Sequence, residues 1–111
     1  ASGLPEGAKK FKALLRASDG FLIASPEYNS SVTAALKNAI DWASRAETDD
    51  EPPLVAYKGK VAALCSASPG ALGGLRGLVT LRWYSWILAL GPLAIVAAWG
   101  ILGRRASASR R

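Results

Sequence analysis

Two kinds of hydrophobic pattern alternate along residues 5–82 of the chain. Short apolar runs at Phe21–Ala24 and Val61–Cys65 are bounded by turn residues. Such runs are typical of strands buried on both faces in a parallel sheet. Around them, apolar residues recur every three or four positions, which predicts helices over 5–17, from Val32 onward and over 75–82. A helix that joins two neighbouring strands predicts that those strands run parallel.

The predicted helices each have a polar and an apolar face. In the second helix, Val32, Leu36 and Ile40 form a stripe that we expect to face the core, and Ser30 or Ser31 can cap its start. In the first helix, the polar side is interpreted as a solvated surface and comprises Lys9, Lys10, Lys12 and Arg16.

The loops after the two strands contain the residues that are candidates for ligand binding. Because the carboxyl ends of parallel strands meet at one edge of a sheet, loops 25–30 and 66–74 are expected side by side, where open α/β folds bind ligands. Loop 66–74 (SASPGALGG) is rich in small residues, which let backbone N–H groups approach a flat ligand closely. Without further information, both loops could also be plain connections.

Two segments resemble one known family in order and spacing. They are residues 25–42 (SPEYNSSVTAALKNAIDW) and 58–82 (KGKVAALCSASPGALGGLRGLVTLR), and the resemblance is to the NADPH-dependent FMN reductases. It implies the α/β class, here a partial flavodoxin-like three-layer sandwich with a parallel sheet. It also implies FMN and NADPH as cofactors, hydride transfer to a flavin, quinone or similar acceptor, and a homo-oligomer.

The resemblance also implies which residues contact the flavin ring. The Pro-Glu-Tyr-Asn loop would line the ring, and the glycine loop would contact its other edge. The residues that take these roles are Pro26, Glu27, Tyr28, Asn29, Ser30, Ser66, Gly73 and Gly74. No catalytic acid or base is expected, because the flavin itself accepts and donates the hydride.

Several classes of site are excluded by composition. Histidine is absent, so His-based catalytic triads and His metal sites are excluded, and we expect no metal. The single cysteine, Cys65, is expected to be a buried, inert thiol. Of the net charge of +6, four arginines lie beyond residue 103, so the charge does not predict nucleic-acid binding.

Part of the family pattern has no counterpart before Ala1. The first strand and the loop that grips the FMN phosphate are expected there in the family. We therefore expect an impaired fragment that binds FMN weakly, and whether it is an enzyme stays open. No signal peptide is visible in residues 1–16, which predicts a cytoplasmic protein.

Residues 83–111 are set apart from residues 1–82, the partial reductase domain. Residues 83–103 carry no charge and are followed by Arg104 and Arg105, as in a membrane segment. A second reading is a helix continued over 83–90 and a strand over 93–98. A third hypothesis, favoured here, is a shifted reading frame that left 83–111 unselected for folding. The alternative function is a membrane-anchored or interaction polypeptide with a non-catalytic α/β remnant.

Overall fold

A computed structural model describes the fold of residues 3–88 and 93–99. Helices and strands alternate along the chain, which confirms the α/β class. The elements are α1 (Glu6–Ala17), β1 (Gly20–Ala24), α2 (Ala34–Ser44), β2 (Val61–Ser68), α3 (Leu75–Ile87) and β3 (Leu93–Trp99).

The strands form one three-stranded sheet in the order β1-β2-β3. Both pairings are parallel, as the strand–helix–strand pattern predicts. The register of the first pair runs from Gly20 opposite Val61 to Ala24 opposite Cys65. The carboxyl ends of β1 and β2 therefore lie at the same edge of the sheet.

The hydrophobic core lies between the sheet and helices α2 and α3. Ile40 and Ala43 of α2 pack with Leu64 of β2 and with Leu78 and Leu81 of α3, and all five are buried. The apolar stripe predicted along α2 is therefore confirmed. The helix begins two or three residues later than expected, because Thr33 is its N-cap and accepts a hydrogen bond from Leu36 N at 3.1 Å.

The prediction that the strands are buried on both faces is wrong for β1. Phe21 and Ile23 pack toward the core, whereas Leu22, on the other face, is 75% exposed. The reason is that α2 and α3 both pack on the face that holds Leu64, and α1 packs on α2. Cys65 shares the uncovered face and is partly exposed, so it is not the buried thiol that its apolar surroundings predict.

Lys12 is also not where the sequence places it. Its side chain is 1% exposed, and its ammonium group donates to Arg45 O at 2.6 Å and to Glu51 Oε2 at 2.5 Å. The hydrogen bond from Lys12 holds the pKa of the Glu51 carboxyl below its usual value. Lys12 is therefore an internal ion that attaches α1 to the loop after α2.

The segment after residue 82 continues the fold. Helix α3 runs on to Ile87, and β3 pairs with β2 from Leu93 opposite Ala62 to Trp99 opposite Ser68. This arrangement agrees with the helix-and-strand reading and is incompatible with one helix spanning 83–103. Among residues 3–88 and 93–99, no helix combines the length and apolar character that a membrane crossing needs.

Replacement of Lys12 by alanine is expected to destabilise the fold by about 3 kcal/mol, because it leaves the Glu51 carboxylate without its closest cation. Urea unfolding at pH 7 measures this loss. Lys10→Ala is the matched control, since Lys10 is exposed on the same helix and its removal should change stability by less than about 0.5 kcal/mol. Equal effects of the two substitutions would contradict the internal role of Lys12.

The buried position of Tyr57 predicts that the fold loses stability at alkaline pH. Its ring packs edge-on against Phe21, its hydroxyl donates to Ile40 O at 3.3 Å, and burial raises its pKa to about 12, with a smaller contribution from Asp41. An unfolded tyrosine ionises near pH 10. The stabilisation from keeping this phenol neutral is therefore complete below pH 10 and is lost as the pH rises to about 12.

Urea unfolding between pH 9 and pH 12 tests this expectation. Wild-type protein should lose stability more steeply in that range than Tyr57→Phe, which has no phenol to ionise. Tyr28→Phe is the control, since Tyr28 is an exposed tyrosine and its replacement should leave the steep slope unchanged. Parallel slopes for wild type and Tyr57→Phe would show that other groups cause the alkaline loss.

Candidate functional site

The loops that follow β1 and β2 leave the sheet side by side. Ala24 and Cys65 are the last residues paired in that register, and Ser25 N donates to Cys65 O at 3.0 Å just beyond it. The predicted convergence of loops 25–30 and 66–74 at one sheet edge is therefore confirmed. The parallel pairing produces it, because both strands run in the same direction. β2 continues to Ser68, so residues 66–68 of the predicted loop belong to the strand.

An open depression of about 320 Å³ lies where these loops begin. Its walls are mostly apolar, and the lining residues are Ala24, Ser25, Pro26, Cys65, Ser66 and Ala67. Pro26 and Ser66 are among the residues that the family resemblance predicts. The other four, Ala24, Ser25, Cys65 and Ala67, were not predicted. Their position toward the carboxyl ends of two adjacent strands is the signal that could have found them.

Ser66 is the one polar side chain of the depression that is buried without a partner among the described residues. The residue is 6% exposed, and its Oγ has no hydrogen-bond partner there. A buried hydroxyl without a partner costs free energy, and a hydrogen bond to a ligand would offset that cost. The Ser66 side chain packs against Gly74, which belongs to the glycine loop.

Gly74 must be glycine for two reasons. Its φ of +89° lies in the left-handed region, which side chains disfavour, and a Cβ atom there would overlap Ser66 Oγ. Gly73 also has a positive φ, of 55°. The backbone of the glycine loop therefore packs directly against Ser66, although neither Gly73 nor Gly74 lines the depression itself.

The turn after Glu27 is tight and lies outside the lining of the depression. Tyr28 and Ser31 exchange two backbone hydrogen bonds of 3.0 Å, and Asn29 and Ser30 have φ values of 50° and 64°. Two central residues with positive φ are typical of a type I′ turn. Tyr28 is exposed at this turn, and none of Tyr28, Asn29 and Ser30 lines the depression.

Glu27 belongs to the loop after β1, and its carboxylate reaches the start of α3. Its Oε2 accepts hydrogen bonds from Arg76 N at 3.0 Å and Gly77 N at 3.2 Å, and its Oε1 lies 3.6 Å from Arg76 Nε. The N-terminus of α3 therefore already holds a carboxylate. A helix N-terminus otherwise attracts phosphate, so this carboxylate disfavours a phosphate group at that end of α3.

The described residues contain no cluster of His, Cys, Asp and Glu that could hold a metal ion. Polar groups around the depression are hydroxyls and backbone groups, which can orient a ligand by hydrogen bonds. The arrangement therefore suits binding of a flat, largely uncharged group more than acid–base chemistry by the protein.

Gly74→Ala is expected to distort the glycine loop and to destabilise the fold by more than about 1 kcal/mol, because the new methyl group overlaps Ser66 and requires a strained φ. Thermal unfolding measures the change. Gly70→Ala is the control in the same loop, since a Cβ atom there meets only Ser68 Oγ, at 3.6 Å. Equal stability of the Gly74 variant and wild type would contradict the close packing.

The chain is similar in sequence to the members of one protein family. The sequence model of a family described as NADPH-dependent FMN reductase matches residues 1–99. This match includes residues 83–99, which the sequence patterns alone set apart from the reductase part. The chain is 43% identical over 93 residues to an NAD(P)H-dependent FMN reductase of Pseudomonas aeruginosa, a match that covers 84% of this chain and 47% of the relative.

Further relatives and a solved structure agree with this match. An NAD(P)H:quinone oxidoreductase of Solanum tuberosum is 47% identical over 78 residues, covering 70% of this chain and 36% of that protein. The flavoenzyme FerB of Paracoccus denitrificans, an NAD(P)H:(acceptor) oxidoreductase, superimposes with a TM-score of 0.67 at 32% identity. That match covers 83% of this chain and 46% of FerB. The chain spans less than half the length of each of these relatives.

Proposed function

Because the chain belongs to the NADPH-dependent FMN reductase family, we propose that its two loops hold the ring of FMN in an NAD(P)H-dependent reductase. The proposed reaction moves a hydride from NADPH through FMN to a flavin, quinone or similar acceptor. Relatives of this chain are named as FMN reductases and as quinone reductases, which supports this range of acceptors.

One observation carries the proposal. Parallel pairing of β1 and β2 forms one open, apolar depression that Pro26 and Ser66 line, and Gly74 packs against Ser66. The buried Ser66 Oγ has no hydrogen-bond partner among the described residues. A flat ring with hydrogen-bonding atoms along its edge fits such a place. It would bury apolar surface on the walls and provide a partner for the hydroxyl.

The residues present fit the ring of FMN in distinct ways. Ser66 can donate to or accept from a ring heteroatom, and the backbone at Gly73 and Gly74 can approach closely because neither residue carries a side chain. Pro26 and Cys65 supply apolar walls. Tyr28, Asn29 and Ser30 are exposed and lie outside the lining of the depression. We propose that they contact the part of the flavin that extends beyond it.

The chemistry of the hydride belongs to the cofactor. The chemistry that bound FMN would supply is hydride transfer, from NADPH to the flavin and then from the flavin to the acceptor, with the accompanying proton exchanged with water. The protein would need no acid or base of its own for that transfer. The contribution of this chain is to orient the ring and to exclude water from one side of it. Neither contribution requires a metal ion.

The phosphate of FMN does not belong at the N-terminus of α3 in this proposal. Glu27 occupies the free N–H groups there with a negative charge, which repels a phosphate. If the ring alone is recognised, this chain should bind FMN and riboflavin with similar affinity, since the two differ only in the phosphate.

Flavin titration tests the proposal. Binding should quench or shift the fluorescence of FMN and of riboflavin. The dissociation constants of the two flavins should agree within about threefold. Ser66→Ala should weaken both by about fivefold to tenfold, as loss of one hydrogen bond predicts. It should not destabilise the free protein, because Ser66 Oγ has no hydrogen-bond partner among residues 3–88 and 93–99. The control is Ser44→Ala, whose hydroxyl bonds Asp41 O on α2 away from the site.

The proposal fails if neither flavin binds at millimolar concentration. A Ser66→Ala protein that binds flavin as tightly as wild type would remove this hydroxyl from the site. NADPH oxidation with a quinone acceptor in the presence of saturating FMN then measures activity, which weak retention of the cofactor should limit.

Further assignments belong to the same proposal. We place the reductase in the cytoplasm, where NADPH is supplied, and expect it to act as a homo-oligomer, as the family resemblance implies. The division into a reductase part over 1–82 and a distinct segment over 83–111 also stays a prediction. The coding DNA tests the proposed shift of reading frame, since only another frame with a family-like continuation would support it.

A further inference from the structure

We propose that Glu27 is a positioning residue that caps α3 from the neighbouring loop and thereby holds the two loops of the site together. The claim that this arrangement serves a flavin rests on the proposed function. The capping itself rests on geometry. Glu27 belongs to the loop after β1, whereas the groups that it binds begin the helix after β2, 49 and 50 residues later.

Helix α3 cannot cap itself with a side chain. The residue before its first position, Leu75, is Gly74, which has no side chain to accept a hydrogen bond. No larger residue fits there, because a Cβ atom would overlap Ser66 Oγ. The N–H groups of Arg76 and Gly77, at the second and third helical positions, therefore need an acceptor from elsewhere.

The Glu27 carboxylate supplies that acceptor. A single oxygen, Oε2, accepts from both N–H groups, at 3.0 and 3.2 Å, and the side chain is 12% exposed. A carboxylate is the favoured group at a helix N-terminus, since it opposes the positive end of the helix dipole. The Arg76 guanidinium, 3.6 Å from the other oxygen, adds an outer ion pair.

The same two segments also touch through their backbones. A Cβ atom on Gly77 would lie 3.3 Å from Ser31 O and 3.4 Å from Glu27 Cβ, so the missing side chain lets α3 pack directly against the turn. Glu27 and Ser31 flank the turn residues Tyr28, Asn29 and Ser30. Because both flanking residues lie against α3, the position of this turn depends on the start of the helix.

The consequence is a division of roles within the Pro26–Ser30 motif. Pro26 lines the depression, whereas the carboxylate of Glu27 is directed into the helix and is unavailable to a ligand. Loss of this carboxylate should move the turn and the glycine loop apart. Ligand affinity would then fall although no atom in contact with the ligand has been removed.

Three substitutions at Glu27 separate length from charge. Glu27→Gln keeps the length and one carbonyl oxygen that can accept both N–H groups, Glu27→Asp keeps the charge but is one methylene shorter, and Glu27→Ala removes the cap. Backbone amide exchange, followed by NMR in the free protein, reports directly on Arg76 and Gly77. Glu6→Ala is the control, since Glu6 pairs with Lys9 on the surface of α1.

We expect protection of the Arg76 and Gly77 amides to fall about tenfold or more in Glu27→Ala and Glu27→Asp, and by less than about threefold in Glu27→Gln. Riboflavin affinity should follow the same order, so that Glu27→Gln keeps most of the wild-type affinity and Glu27→Asp loses it. Glu6→Ala should change neither measurement. Arg76→Ala, which keeps both backbone bonds, should leave protection of the Gly77 amide within about twofold of wild type.

Two results would overturn the proposal. Unchanged exchange at Arg76 and Gly77 in Glu27→Ala would show that the carboxylate does not cap the helix. Riboflavin binding that Asp preserves and Gln abolishes would show that the charge acts on the ligand directly. If the wild-type protein binds no flavin, the proposed function fails, and amide exchange alone still decides whether Glu27 is the cap.

Discussion

Parallel pairing of β1 with β2 is the constraint on which the rest of the structure depends. The register places Ala24 opposite Cys65, and the hydrogen bond from Ser25 N to Cys65 O continues it by one residue. Ser25 and Cys65, 40 residues apart in sequence, are thereby joined at the end of β1, and β2 continues from there to Ser68. A shift of the register by one residue would turn Ser66 out of the depression and Leu64 out of the core.

The two loops then stabilise each other. Gly74 packs onto Ser66 because it lacks a side chain, and the helix that follows Gly74 lacks a local cap for the same reason. Glu27 supplies the missing cap from the other loop. Each loop is therefore incomplete without its neighbour, and the geometry of the site forms as one unit with the sheet edge and not loop by loop.

Much of the fold follows from local patterns, and the exceptions have a common cause. The strands at Phe21–Ala24 and Val61–Cys65, the core stripe of α2 and the parallel order depend on periodicity and loop chemistry, which the sequence displays directly. Exposure of Leu22 and burial of Lys12 depend on partners far along the chain. Lys12 binds Glu51, 39 residues away, and no periodic pattern can reveal that pair.

The same distinction applies to the candidate site. Its location and its small residues could be predicted, because strand ends and glycine-rich loops are visible in sequence; the roles of individual residues could not. Glu27 belongs to a motif that suggests ligand contact, yet its carboxylate ends at the helix 49 residues later. Since this carboxylate neutralises the start of α3, recognition at this edge favours an uncharged ring, and any attraction for a phosphate must come from other groups.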